Sequence, residues 1–206
     1  MNANTNNQRR AYWLKTLHQW HWISSALCLL GMVLFSVTGI TLNHAAQIEA
    51  APRVTAREGT LPQALVQQLA DPAQHATLPS GLSSWLEQQW TVDTEAAEAE
   101  WSPEEIYISL PRPGGDAWVR VDRASGDVEY ELTERGWVSY LNDLHKGRHA
   151  GQAWSWFIDL FAAACLVFSI TGLFILKMHA TQRPTTWPLV AFGLVLPLLL
   201  AILFIH

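Results

Sequence analysis

The sequence predicts an α-helical membrane protein in which three transmembrane helices carry a small α+β module, inserted between helices 1 and 2. Half of the 206 residues are hydrophobic and only 15% are charged, whereas soluble domains contain about 25% charged residues. The apolar residues gather in three long stretches, and all 18 acidic residues lie between Glu49 and Asp159. The mean hydropathy of +0.08 is therefore the average of a membrane part and an acidic, water-exposed part.

The three apolar stretches are each about twenty residues long, which is enough to cross a hydrocarbon core of about 30 Å. Pro197 lies inside the third stretch and predicts a kink there. The first stretch is longer than the apolar region of a secretory signal peptide, so we expect it to stay as a membrane anchor. The predicted boundaries are 1–21 for the N-terminus and helix entry, 22–43, 153–176 and 187–206 for the helices, 44–152 for the module and 177–186 for the loop.

The distribution of basic residues predicts the orientation, because Lys and Arg near the ends of spans favour the cytoplasmic side. Five basic residues and no acidic one flank the ends of the spans on one side, namely Arg9, Arg10, Lys15, Lys177 and Arg183. The N-terminus is therefore expected in the cytoplasm, and the module and the C-terminus in the periplasm. The module holds 17 of the 18 acidic and 8 of the 13 basic residues, which gives no basic surface for nucleic acid.

Within the module, residues 61–69 and 82–90 have helical periodicity, bounded by glycine, proline and threonine signals. Further along, the apolar period changes to two, and the turn sequences 111–115 and 124–127 separate three strand segments. The module contains no Ser-His-Asp constellation, metal-spaced cysteines or glycine-rich phosphate loop. We interpret the isolated His75 as a solvated loop residue.

A short motif occurs twice, as FSVTG at residues 35–39 near the end of the first span and as FSITG at residues 168–172 near the end of the second. Its small residues would allow a macrocycle or a neighbouring helix to approach closely. Successive spans joined by one external segment run antiparallel, so the start of one lies level with the end of the other. We therefore expect two histidine clusters at the two membrane faces, His18 and His21 with His179, and His44 with His145 and His149.

Histidines placed in this way at helix ends indicate ligands or proton carriers. Two neutral imidazoles from facing helices can hold the iron of a b-type haem, and the 23 positions between His21 and His44 indicate two separate sites. Structural histidines at the interface, another metal and proton transfer are open alternatives, although zinc sites usually add Cys or carboxylate ligands. The spacing also leaves open which start histidine accompanies each end histidine. Cys28 and Cys165 lie inside spans and are interpreted as small apolar residues.

Four charged residues near the histidines are candidates for supporting roles. Asp159 lies inside the second span, where a carboxylate needs a partner such as the second ring nitrogen of a ligand histidine. Lys146 and Arg148 near one cluster, and Lys177 near the other, are candidates for binding haem propionates.

The order of several short motifs resembles the PepSY-associated transmembrane family. These motifs are LHQW at residues 17–20, Thr38-Gly39, VDRASGDV at 121–128, LHKGR at 144–148, WSWFID at 154–159 and TGL at 171–173. The resemblance covers nearly the whole chain except the third span, and it implies a PepSY-like fold for the module.

That family includes siderophore-iron reductases of bacterial inner membranes that bind b haems through helix-end histidines. The haem ligands that the resemblance implies are His18, His44, His145 and His179, with His21 and His149 next. The resemblance also implies haem b as the cofactor, with two haems per protomer or shared in a homodimer. The implied activity is electron transfer from quinol or a redox partner to ferric siderophore. Alternative functions are a non-enzymatic membrane accessory that binds a periplasmic partner, or a helper in metal uptake.

Overall fold

The computed structural model describes residues 3–48, 51–69, 78–94 and 97–205. Three of its helices are long and apolar enough to cross a membrane, Asn7–Asn43, Gly151–Gln182 and Thr186–Phe204. An α+β region lies between the first and second of them, which confirms the predicted fold class. The chain divides into two compact units, Met1–Leu34 with Phe157–His206, and Phe35–Trp156, and each is described separately.

The first unit contains only helices. They are the N-terminal part of α1 (Ala3–Asn43), most of α5 (Gly151–His179) with the 3-10 turn Ala180–Gln182, and α6 (Thr186–Phe204), which contains Pro197. In this unit α1 and α5 pair antiparallel, since Arg10 donates a hydrogen bond to the Met178 carbonyl (3.2 Å), whereas Gly31 lies against Phe161. Large apolar side chains on all three helices are exposed, as membrane-spanning helices require.

The second unit is built around a single sheet. Its elements are β1 (Arg53–Thr60), α2 (Gln63–Leu69), α3 (Ser80–Trp90), β2 (Glu98–Trp101), β3 (Glu105–Arg112), β4 (Gly115–Asp122), β5 (Asp127–Glu134) and α4 (Trp137–Lys146). The strands are antiparallel in the order β1-β5-β4-β3-β2. The unit also includes the last residues of α1.

The alternating pattern of the strands gives this sheet one apolar face. Ile108 on β3, Val119 on β4 and Val128 on β5 are at most 1% exposed, as are Leu69 of α2 and Leu82 of α3. These residues belong to one core cluster, so the two short helices pack on the sheet by burying apolar surface at about 25 cal/mol per Å².

Three elements of this unit were not predicted from the sequence, namely β1, β2 and α4. β1 follows Pro52 and pairs with β5 along its whole length, and β2 pairs with β3. α4 carries His145 and ends where Gly147 adopts a left-handed conformation with φ 67°. Gly is favoured there because it has no Cβ.

The turn between β4 and β5 depends on Asp122. Its Oδ1 accepts hydrogen bonds from the backbone N–H groups of Ser125 (2.7 Å) and Ala124 (2.9 Å), and these bonds lower the pKa of the Asp122 carboxyl. Because the folded pKa lies below the unfolded one, this contribution to stability is present above the unfolded pKa and is lost as pH falls through the folded pKa.

Arg123, the next residue, joins the turn to two other elements. Its guanidinium donates to the Leu69 carbonyl at the end of α2 (2.8 Å) and to the Ser102 carbonyl before β3 (2.7 Å). Hydrogen bonds from a charged donor contribute more than neutral ones. The VDRASGDV motif at residues 121–128 therefore has a structural role in this fold. Its Arg123 ties α2 and the segment before β3 to the turn, and we call this set of contacts the clamp.

We predict that Arg123→Ala lowers the free energy of unfolding by about 1.5–3 kcal/mol, because it removes charged hydrogen bonds to two carbonyls. Arg120→Ala is the matched control: Arg120 makes exposed ion pairs with Glu105 and Glu129, which contribute at most about 1 kcal/mol. Thermal unfolding of the detergent-solubilised full chain measures both. Equal shifts in the two variants would contradict the clamp.

Candidate functional site

In the second unit, the first copy of the repeated motif holds a histidine. His145 Nδ1 lies 2.7 Å from Thr38 Oγ1, and the His145 ring centroid lies 5.0 Å from that of Phe35. A Cβ placed on Gly39 would lie 3.5 Å from His145 Cε1. Phe, Thr and Gly of the motif thus all contact one imidazole, an arrangement that we call a cradle.

In the first unit, the second copy of the motif forms the same cradle around His21. His21 Nδ1 lies 3.1 Å from both Thr171 Oγ1 and the Phe168 carbonyl oxygen. The His21 ring stacks on Phe168 with centroids 4.6 Å apart and planes inclined by 16°. A Cβ on Gly172 would lie 3.3 Å from His21 Cε1, so the ring would have to shift by a few tenths of an ångström to admit it.

The spacing of the motif explains why both copies act alike. Positions i, i+3 and i+4 lie on one face of a helix, so Phe, Thr and Gly of each copy face the same neighbour. The sequence indicated close approach at the repeat, but not which side chain approaches. Each copy receives its histidine from another helix, α4 in one case and α1 in the other.

The hydrogen bonds also assign the ring protons. Thr38 Oγ1 donates its one hydrogen to the Phe35 carbonyl (3.2 Å), and Thr171 Oγ1 donates to the Val167 carbonyl (2.7 Å). The Phe168 carbonyl can only accept, so His21 Nδ1 carries the proton of the neutral ring. We assign the same tautomer to His145, with the Thr38 hydroxyl hydrogen placed on the Phe35 carbonyl. The lone pair then lies on Nε2.

Three further histidines have the same tautomer for a simpler reason. In each, Nδ1 donates to the carbonyl four residues earlier in its own helix: His18 to Leu14 (2.8 Å), His44 to Ile40 (3.0 Å) and His179 to Ile175 (2.9 Å). Within the part of the chain that the structure describes, no hydrogen bond occupies Nε2 of any of these five histidines. A metal-ligating histidine has this arrangement, with one nitrogen bonded to a carbonyl or other acceptor and the second free.

One pair of these rings faces across two helices. The ring centroids of His18 on α1 and His179 on α5 lie 6.3 Å apart, with planes inclined by 89°. Metal–nitrogen bonds of about 2 Å place two imidazoles that share one ion with centroids about 6 Å apart. His18 rather than His21 is therefore the neighbour of His179, which the spacing alone left open.

The second unit has no matching pair among its described residues. His44 makes no described ring contact with His145 or His149, and His149 is exposed in a left-handed conformation with φ 54°. His18 lies three residues before the cradled His21, whereas Asn142 lies three residues before the cradled His145. Asn142 accepts a hydrogen bond from Thr41 Oγ1 (2.8 Å). The two cradles are thus alike, but the residue one helical turn before the cradled histidine is His18 in the first unit and Asn142 in the second.

The charged residues that the sequence singled out make few contacts. Asp159 is exposed on α5, and the described residues provide no hydrogen-bond or ion-pair partner for it or for Lys146, Arg148 and Lys177. The described residues contain no group of three or more His, Cys, Asp or Glu able to hold a metal. Cys28 and Cys165 are free thiols, and His75 lies outside the described residues.

The model of the PepSY_TM-like family matches residues 12–206 of the chain. No curated protein and no solved structure matches it.

We predict that Thr38→Val destabilises the protein more than Thr171→Val does. Thr38 Oγ1 is the described acceptor for His145, whereas His21 retains the Phe168 carbonyl. A buried donor left without a partner costs about 1–3 kcal/mol, against about 1 kcal/mol for an ordinary hydrogen bond. Thermal unfolding of the full chain in detergent measures the difference.

Thr38→Ser should retain most of the stability, because it keeps the hydroxyl. The control is Ser36→Ala, which changes an exposed side chain in the same motif. If Thr38→Val unfolds at the same temperature as Ser36→Ala, the cradle hydrogen bond contributes nothing to the fold.

Proposed function

The chain belongs to the PepSY-associated transmembrane family, and from this premise we propose that it is a b-haem protein that carries electrons across a membrane to ferric siderophore iron. The observation that supports the proposal most is the pair His18 and His179, with centroids 6.3 Å apart and each Nδ1 bonded to a carbonyl of its own helix. These two rings would hold one haem iron through their Nε2 atoms.

In this proposal His18 and His179 hold the first haem. Their Nδ1–H bonds to Leu14 and Ile175 fix each ring about its helix and increase the basicity of Nε2. When bound, haem supplies one-electron transfer at a potential set by its axial ligands and their surroundings. Lys177, two residues before His179, is the cation proposed to meet a propionate.

A second haem, as the family resemblance implies, would use His44 with His145 or His149, or with a histidine of a second copy in a homodimer. His145 Nδ1 is hydrogen-bonded to Thr38 Oγ1, so its Nε2 is available for iron. Lys146 and Arg148 are the cations proposed to meet propionates there.

The proposal places the N-terminus in the cytoplasm of a bacterial inner membrane, with residues 44–152 and the C-terminus in the periplasm. Five basic and no acidic residues at the other ends of the spans support this orientation. Electrons would enter from quinol or a redox partner and leave towards the module. The exposed apolar helix faces in the first unit would contact lipid and exclude water from the histidines.

A second candidate function is supported by the cradles. They satisfy the Nδ1 groups of His21 and His145 without any cofactor, as structural histidines would require. In that case the protein is a non-enzymatic accessory whose module binds a periplasmic partner, or a helper in metal uptake.

The difference between dithionite-reduced and oxidised visible spectra separates these candidates. For protein expressed with ample haem and purified in detergent, we expect the α-band of a low-spin b haem. His18→Ala and His179→Ala should each remove the same part of it, about half if two haems bind, while His75→Ala, in a predicted loop, leaves it unchanged. A correctly folded wild-type protein without an α-band would rule out the haem function.

A further inference from the structure

The apolar face of the sheet in the second unit ends in a charged row. Residues that are partners in the strand register project from the same face of a sheet. Three successive rows on this face are apolar across β3, β4 and β5, namely Ile106-Val121-Val128, Ile108-Val119-Tyr130 and Leu110-Ala117-Leu132. The next row continues onto β1 and consists of Arg112, Gly115, Glu134 and Arg53.

This row forms the floor of a groove. The groove has a volume of about 570 Å³, and it is lined by the row itself, the turn at Gly114 and the first residues of α4. Ligand sites usually have volumes of about 300–1,000 Å³. Neither α2 nor α3 contributes to the lining, so the inward face of the sheet is open to solvent at this end.

Arg53 and Arg112, the two arginines of the groove, differ in their hydrogen bonding from four other arginines of the module. Arg57 donates to the Trp90 carbonyl, and Arg120, Arg123 and Arg135 bond to carboxylates or carbonyls. For Arg53 and Arg112, the described residues provide no hydrogen-bond or ion-pair partner. The module as a whole has about twice as many acidic as basic residues. The groove has the opposite balance, since it contains two guanidiniums without a described partner and one carboxylate. Such a groove attracts an anion.

One wall of the groove is aromatic and held in place. Trp137 is 78% exposed and Tyr140 is 36% exposed, and their rings meet edge to face at 5.7 Å. Asp143 of the same helix accepts a hydrogen bond from the Gly114 N–H (2.9 Å), and a Cβ on Gly114 would come within 2.8 Å of Tyr140 Cα. α4 is therefore fixed against the β3–β4 turn at Tyr140 and Asp143.

We propose that this groove binds an anionic aromatic chelate, namely ferric iron held by catecholate rings; this assignment of substrate class rests on the proposed function. Catecholate complexes of ferric iron combine net negative charge, which the two guanidiniums favour, with flat rings that can stack on Trp137 and Tyr140. Hydroxamate complexes lack the negative charge, and carboxylate complexes lack the rings.

The position of the groove suits the transfer of an electron to such a ligand. Trp137 and His145 lie on the same ten-residue helix, eight positions and about 12 Å apart along its axis. Ala51, which lines the groove, follows His44 by seven residues. The groove therefore lies in the same unit as His44 and His145.

The test uses a redox-inert ligand, so that binding is measured without any electron transfer. A hexadentate tris-catecholate chelate of gallium(III) is titrated by calorimetry into the full chain in nanodiscs of phosphatidylcholine, which offer no anionic headgroup. We expect binding that weakens about tenfold in Arg53→Gln and in Arg112→Gln, since each loses a charged contact of about 1.5 kcal/mol. Trp137→Ala should weaken it as well.

Arg57→Gln is the matched control, because Arg57 lies on the same strand and face but outside the groove lining. It should bind as the wild type does, and a gallium trihydroxamate should bind at least about tenfold more weakly than the catecholate. No binding by the wild type, equal affinities in all four variants, or equal affinities for the two chelates would each overturn the proposal.

The outcome is independent of haem. Chelate binding without an α-band would overturn the electron-transfer function and leave the groove assigned. An α-band without chelate binding would overturn only the assignment of the groove.

Discussion

A neutral imidazole has one N–H and one lone pair, so fixing the proton on one ring nitrogen determines what the other can do. All five histidines discussed above have Nδ1 bonded to an acceptor on a helix, either a carbonyl of their own helix or the cradle of a neighbouring one. In a layer without water, an N–H group without an acceptor would be costly. The hydrogen bond at Nδ1 therefore determines the tautomer of each ring and leaves Nε2 available. For His21 and His145 it also explains the position of the threonine in each motif.

The cradles show how a short repeat produces two related but unequal sites. Both copies place Phe, Thr and Gly around a ring, yet His18 lies one turn before the cradled His21 and Asn142 one turn before the cradled His145. His18 pairs with His179, whereas Asn142 accepts a hydrogen bond from Thr41. Under the proposed function, the two sites would therefore differ in ligation, as the entry and exit of an electron path require different surroundings.

Strong periodicity made most of the fold predictable. The three apolar stretches, the alternation of β3, β4 and β5 and the positions of α2 and α3 follow from the sequence, because burial on one face imposes a period. β1 was missed since it is an edge strand with charged residues and no apolar alternation. α4 was missed although its basic last turn and Gly147 are sequence signals for the end of a helix. The histidines were found from their positions, but their acceptors required contacts between helices. The charged row at Arg53 and Arg112 likewise required the strand register.

Electron paramagnetic resonance of the oxidised, haem-loaded protein tests the central claim most directly, because the signal of ferric haem reports its axial ligands. With His18 and His179 as ligands of one haem iron, we predict a low-spin signal typical of two imidazole ligands. That signal should disappear in His18→Ala and in His179→Ala and persist in His75→Ala. A purely high-spin signal in the wild type, or a low-spin signal unchanged in both variants, would contradict the account.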